Sequence, residues 1–198
     1  MPDELDRLIS ALQRPSGASS DFDLNSAVGL PPGRVLLPAA VLIALCPGAD
    51  CLRVILTVRA SHLKHHPGQI ALPGGKLEEG DSGPEAAALR EAWEEIGLMP
   101  ENVHMLGHLP EHETVTGFSV TPVVGVVRGH FTFHPDPGEV EEVFTVPLAH
   151  VLDRNRYLVE KRLWRGQWRR YYAVPWGPYY IWGATARILR GLAERVEA

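Results

Sequence analysis

Three glutamates within five residues, Glu91, Glu94 and Glu95, with Arg90 directly before them, are the side chains here best suited to chemistry. They lie in the run Asp81-Ser82-Gly83-Pro84-Glu85-Ala86-Ala87-Ala88-Leu89-Arg90-Glu91-Ala92-Trp93-Glu94-Glu95-Ile96-Gly97. The punctuation is that of a helix: Asp81 or Ser82 to cap it, Pro84 in the first turn, Gly97 as a left-handed stop. At about 100° per residue, Ala86, Leu89, Trp93 and Ile96 share one face and the three glutamates gather roughly opposite. The spacing therefore predicts carboxylates that point together and away from the core. A charge run is commonly a solvated face. Yet Glu91 and Glu95, at i and i+4, repel each other, and Arg90 is placed to relieve the cluster only through Glu94. A hard divalent cation, Mg²⁺ or Mn²⁺, binds through a few such carboxylates while keeping waters and phosphate oxygens. Spacing alone leaves both readings open.

Just upstream, Pro73-Gly74-Gly75 makes a tight loop whose backbone can approach a ligand, and Gly74 or Gly75 can offer a carbonyl to the same cation. In this order the loop, the acidic spacer and the helix resemble the Nudix box, G-x5-E-x7-R-E-U-x-E-E-x-G-U with U aliphatic. Arg90 to Leu98 match at every fixed polar or glycine position. The first acidic position holds Asp81 rather than Glu, and eight residues instead of seven separate it from Arg90.

That extra residue occurs in the branch similar to coenzyme A pyrophosphohydrolases. A second motif of the branch is matched by Leu56-Thr57-Val58-Arg59-Ala60-Ser61-His62-Leu63-Lys64-His65-His66-Pro67-Gly68-Gln69-Ile70-Ala71-Leu72-Pro73-Gly74-Gly75, with Lys64 where the pattern has Arg and Leu72 where it has Phe. Further stretches, among them Glu139 to Leu148 and Tyr180 to Leu189, extend the resemblance over about residues 35 to 190. It implies an α/β fold, an α/β/α sandwich around a mixed β-sheet, and hydrolysis of the coenzyme A pyrophosphate to 3′,5′-ADP and 4′-phosphopantetheine. Mg²⁺ or Mn²⁺ would be held by Glu91, Glu94 and Glu95 with Gly75. Arg90 would orient these acids, and the general base would be a helix glutamate or one of Glu139 and Glu142. Arg59, Lys64, His65 and His66 concentrate positive charge beside Gly74 and Gly75, a counter-field for a polyanionic substrate. Without an HExxH pattern, and with Pro67-Gly68 ending any helix, His62, His65 and His66 do not suggest zinc. The alternatives are a Nudix hydrolase for another nucleoside diphosphate derivative, such as ADP-ribose, NADH or a dinucleotide, and a nucleotide sensor without catalysis.

The elements that must carry these residues are legible from periodicity. Leu5, Leu8, Ile9 and Leu12 have helical spacing, and Pro15 to Ser26 reads as a linker. Ala39 to Leu45 and Arg53 to Arg59 read as a hairpin of core strands. Val103 to Leu109, Phe118 to Val127 and Glu141 to Val146 read as further strands, and Pro147 to Leu152 as a helical turn. Leu158 to Trp164 and Trp168 to Val174 suggest a hairpin around Arg165-Gly166-Gln167, and Gly183 to Val196 an amphipathic closing helix. The organisation expected is an N-terminal helix and linker, 1–34, packing on a hydrolase domain, 35–198.

With 198 residues, 45% hydrophobic and 22% charged, at net charge -5, the chain has the composition of a soluble domain rather than a basic nucleic-acid coat. Arginines between 154 and 170 interleave with Trp164, Trp168, Tyr171 and Tyr172. An amphipathic hairpin packed on the sheet or at a homodimer contact accounts for them better than nucleic-acid binding. The longest apolar stretch, Val35 to Cys46, is broken by Pro38 and closed by Pro47, too short for a membrane span. The acidic start, Asp3-Glu4-Leu5-Asp6, is unlike a signal peptide, and two cysteines, Cys46 and Cys51, give no disulfide framework. A cytoplasmic location is expected.

Overall fold

The computed structural model describes residues 2–25, 33–129, 131–164 and 166–197. Ser26, at the end of the expected linker, and Arg165, in the expected hairpin turn, lie outside the described residues. In chain order the elements are α1 (Pro2–Leu12), β1 (Ser19–Ser20), β2 (Leu37–Pro47), β3 (Leu52–Arg59), β4 (Ile70–Ala71), β5 (Gly74–Lys76) and α2 (Pro84–Ile96). There follow β6 (Val103–His108), β7 (His112–Glu113), β8 (Phe118–Val127), β9 (Val140–Pro147), α3 (Leu148–Leu152), β10 (Leu158–Trp164), β11 (Gln167–Ala173) and α4 (Gly183–Glu197).

Aliphatic and β-branched runs put β2, β3 and β8 at the centre of a nine-stranded sheet ordered β1-β7-β8-β2-β3-β4, with β5 on β2, β6 on β8 and β9 on β3. The sheet is mixed: β2 and β8 run parallel from Leu37↔Phe118 to Leu45↔Val126, whereas β3 runs antiparallel to β2, β4 and β9. One face packs Leu8, Leu148, Val151, Ile188, Leu189 and Leu192 from α1, α3 and α4 over Ile43, Leu45, Val54, Leu56 and Val124. The other packs Ala87, Ala88, Ala92 and Ile96 from α2 over Ala40, Leu42, Ala44, Ile55 and Val123. The expected α/β/α sandwich is therefore present.

The stretch expected to be a plain linker is a strap. β1 pairs parallel with β7, and buried His112 is held between Ser19 Oγ (2.9 Å from Nδ1) and Asp21 Oδ1 (3.2 Å from Nε2). Asp21 Oδ2 also accepts from Val115 N–H at 2.8 Å, and Asp23 pairs with Arg187 at 2.8 Å. Serine, histidine and aspartate in a row suggest a nucleophile relay. However, the N–H of Ser19 donates to Glu111 O and that of Ser20 to Asp23 Oδ1, leaving neither to stabilise an oxyanion. The trio fastens the strap.

Candidate active site

α2 begins at Pro84 after Gly83, without a side-chain cap, and ends at Gly97, whose φ of 72° is the left-handed stop expected of glycine there. The cap expected from Asp81 or Ser82 does not form, because Asp81 turns to Arg90. Its two carboxylate oxygens receive Arg90 Nε at 3.1 Å and Nη2 at 3.0 Å, and Oδ2 also accepts from Glu78 N–H at 2.8 Å. These bonds hold the Asp81 carboxyl below the usual carboxylate range. The same guanidinium donates to Glu91 Oε1 (3.1 Å), Glu94 Oε2 (2.9 Å) and the Lys76 carbonyl (3.1 Å). Arg90 thus joins the loop, the spacer and the helix, and the pair with Glu94 is the one expected from i,i+4 spacing.

The inward face of α2 differs from the one expected. Ala87, Ala88, Ala92 and Ile96 are buried, and Trp93 is 54% exposed. Small alanines let the helix lie close against β2, whereas the bulky indole is left outside. With the helix turned this way, Glu91 and Glu95 fall within the inward arc rather than away from the core, and Glu95 is only 4% exposed. Glu94 remains on the exposed side.

The two glycines make room for this. β5 pairs with β2 through Val41↔Gly74 and Ala40↔Gly75. A Cβ on Gly74, whose φ is 153°, would lie 2.3 Å from the Ala40 carbonyl oxygen, and one on Gly75 would lie 2.2 Å from Glu91 Oε1. The Gly74 N–H donates to Glu95 Oε2 at 3.1 Å, and Arg59 Nη1 stands 3.9 Å from Glu95 Oε1. Burial nevertheless pushes the Glu95 carboxyl up to about 8, with Glu91 and Glu139 adding repulsion, while the Gly74 bond and Arg59 oppose it less strongly. Burial also raises Glu91, against the pull of Arg90. Both shifts mark carboxylates short of positive charge.

Arg59 is therefore at the acids, whereas Lys64, His65 and His66 lie exposed on the loop between β3 and β4. The loop closes on itself through Arg59 N–H to Gln69 O (2.9 Å) and Gly68 N–H to Arg59 O (3.0 Å), with His66 in a left-handed turn at φ 56°. Glu139 directly precedes β9, beside Glu91 and Glu95 in the electrostatics of the site. Glu142 is engaged elsewhere, accepting a 2.5 Å hydrogen bond from the Tyr179 hydroxyl, whose ring stacks on Phe144. Sequence reasoning missed Tyr179, for which there was no local signal, and the Asp81–Arg90 clamp, to which the acidic position of the box pointed.

Among the described residues no three carboxylates, imidazoles or thiols form a ready-made metal cage. Arg90 draws Glu91 and Glu94 to itself, while Glu95 is held by Gly74 and faces Arg59. The donor set nevertheless fits a hard cation: it is all oxygen, Glu95 is buried and Glu91 half-buried, both short of positive charge, and Glu91 lies over a glycine that leaves it space.

The family model for the NUDIX domain matches residues 36–168. The chain belongs to the Nudix family. Its Nudix relatives include a protein named uncharacterized Nudix hydrolase NudL from Enterobacter sp. (strain 638), 43% identical over 162 residues, covering 80% of this chain and 82% of the relative. A protein of the same name from Cronobacter sakazakii is 39% identical over 197 residues, covering 98% and 96%. Among solved structures, the Nudix hydrolase RenU from M. smegmatis superposes with a TM-score of 0.50 at 25% identity, covering 62% of this chain and 84% of that one. The protein is thus a Nudix hydrolase, an enzyme acting on the pyrophosphate of small nucleotide-derived substrates, and Nudix hydrolases generally use divalent cations.

Proposed function

We propose that the substrate is coenzyme A or one of its derivatives, cleaved at the pyrophosphate to 3′,5′-ADP and 4′-phosphopantetheine or its acyl form. The observation carrying this reading is the path of the chain from Arg59 to Gly75. The segment that resembles the coenzyme A branch, Leu56 to Gly75, brings Arg59 to 3.9 Å from Glu95 and returns through Gly74, which bonds the same carboxylate. Its exposed Lys64, His65 and His66 offer positive charge to a substrate bearing phosphates beyond the scissile link.

Glu91, Glu94 and Glu95, with the Gly75 carbonyl, would hold Mg²⁺ or Mn²⁺. The cation supplies charge screening of the pyrophosphate and acidification of water. Around it, Arg90 orients Glu91 and Glu94 while anchored on Asp81 and does not itself reach substrate. Glu139, which repels both Glu91 and Glu95, is the better candidate to take the proton of the attacking water, because Glu142 already accepts the Tyr179 hydroxyl. Water oxygen bonds to one phosphorus, the bridging P–O bond breaks, and each product leaves as a phosphate monoester. Two free thiols, Cys46 and Cys51, suit a reducing cytoplasm, and among the described residues no helix is long and apolar enough to cross a membrane.

Chromatography after incubation with coenzyme A, NADH, ADP-ribose and dinucleoside polyphosphates, each with Mg²⁺ or Mn²⁺, tests the reading. Fastest release of 3′,5′-ADP from coenzyme A supports it. Rapid cleavage of ADP-ribose or NADH with coenzyme A intact would replace it with the second substrate class, and binding without turnover would make the domain a sensor. Every group named here belongs to one chain, so this chemistry does not itself require the homodimer expected from the sequence.

A further inference from the structure

β10 and β11 form a separate antiparallel ribbon, paired from Leu158↔Ala173 to Trp164↔Gln167. The outer edge of β11 is occupied by the strap. Arg170 N–H donates to Asn25 Oδ1 at 2.8 Å, and Asn25 Nδ2 donates to Arg170 O at 2.9 Å. These backbone groups face away from β10, so Lys161↔Arg170 is a non-hydrogen-bonded rung of the ladder. By alternation, the N–H and C=O of Val159, Lys161 and Leu163 point outward from β10. Among the described residues no hydrogen bond reaches them. The same strand and its neighbour expose Val159 (54%), Leu163 (55%) and Trp168 (63%). A long bare edge flanked by apolar side chains is a template for another strand.

We propose that a second copy of this chain pairs with it, β10 against β10, antiparallel about a two-fold axis at Lys161. The strand is self-complementary in that register. Glu160 stands opposite Arg162 of the second copy and Arg162 opposite its Glu160, while Val159 stands opposite Leu163. On one face an apolar row then crosses four strands: Trp168 and Leu163 of one copy, Val159 and Tyr172 of the other. Moving the axis by one residue would lose both Glu160–Arg162 pairs and set Glu160 against Glu160 or Arg162 against Arg162, so the unlike pairs favour this register over its neighbours. The Lys161 residues that meet at the axis do so with their charge drawn aside, each ammonium lying 5.2 Å from the centre of its own Trp168 ring. The result is a continuous four-stranded sheet closed by isologous symmetry.

Sedimentation equilibrium of the full chain is expected to show a dimer. Glu160→Arg and Arg162→Glu should each weaken it at least about tenfold by opposing like charges. Mixing these two variants should give a heterodimer, and combining both changes in one chain should restore self-association. Lys161→Cys should oxidise to a covalent dimer joined at position 161, since hydrogen-bonded cross-strand partners have Cα atoms about 5.5 Å apart, within disulfide reach. Coenzyme A turnover and circular dichroism report folding of each variant independently. A monomeric wild type, charge variants that stay dimeric, a mixture that does not associate, or no covalent dimer on oxidation would each overturn the proposal.

Discussion

The loop and helix from Gly74 to Ile96 and the strap from Ser19 to Asn25 are both rich in carboxylates, yet they treat charge in opposite ways. Along the strap, Asp21 is matched by His112 and the Val115 N–H, Asp23 by Arg187 and Asn25 by the Arg170 backbone. In the helix, Glu91 and Glu95 are drawn inward with less positive charge than they need. A matched polar group holds structure together; a buried acid left short of charge is poised for a ligand that brings it.

Exchanging charge for neutrality in each region gives the sharpest contrast. Glu91→Gln and Glu95→Gln should lower kcat by about three decades, a loss of several kcal/mol in transition-state stabilisation, while circular dichroism stays native and apo Tm holds or rises. Full activity with an undiminished metal requirement would move the cation site elsewhere. Chelation should likewise abolish turnover, and added Mg²⁺ or Mn²⁺ should restore it.

The acids should also dictate how stability follows pH. Glu95 is raised from the ordinary glutamate value of 4.5 to about 8, so the folded chain keeps a proton that the unfolded chain has lost. Its contribution is full below about 4.5 and is lost as pH rises through about 8, on the order of a few kcal/mol in the metal-free protein. Denaturant midpoints across that window, with and without Mg²⁺, check this; a cation should flatten the decline, because it takes the place of the proton.

In the strap, Asp21→Asn should cost about 1–3 kcal/mol, a lost charged partner for a buried imidazole, with kcat unchanged in the folded fraction. A loss of kcat without a loss of stability would tie the strap to catalysis and erase the contrast. The smallest effect should come from Lys64→Ala on the exposed loop. It should raise KM for coenzyme A only a few-fold and leave dephospho-coenzyme A, which lacks the 3′-phosphate, nearly unchanged. Equal effects on both substrates would assign Lys64 to the pyrophosphate.

The same contrast explains what sequence could reveal. Phe118 to Val127 was legible as a strand because nearly every residue is apolar or β-branched, and α2 because proline and glycine punctuate it. The inward face of α2 was not legible. Hydrophobicity favours Trp93, but the sheet surface takes alanines with Leu89 packed at their margin, and that preference belongs to β2 rather than to the helix. The motif that named the acids could not show that Glu95 is buried or that Asp81 holds Arg90. The strap was hidden for a related reason: its two-residue strand has no periodicity, and its partners, His112, Arg170 and Arg187, lie roughly 90 to 165 residues away. Charge alternation around Lys161 was visible in sequence, but the outward edge on which it matters became visible only with Asn25 in place.

A neighbouring feature bears on the order in which the molecule is made. The far end of α4 reaches the start of the chain: Arg195 donates to the carbonyls of Ala11 (3.1 Å), Leu12 (2.8 Å) and Arg14 and to the Ser16 hydroxyl, so one guanidinium collects the open carbonyl end of α1. Loop closure over more than 180 residues yields nothing until both ends exist. During synthesis at about 5–20 residues per second, α1 must wait roughly 10 to 40 s for its last hydrogen-bond donors. Over that interval the carbonyl end of α1 lacks these donors, while strands β2 to β9, all made before α4, can pair before Arg195 arrives to fix the helix.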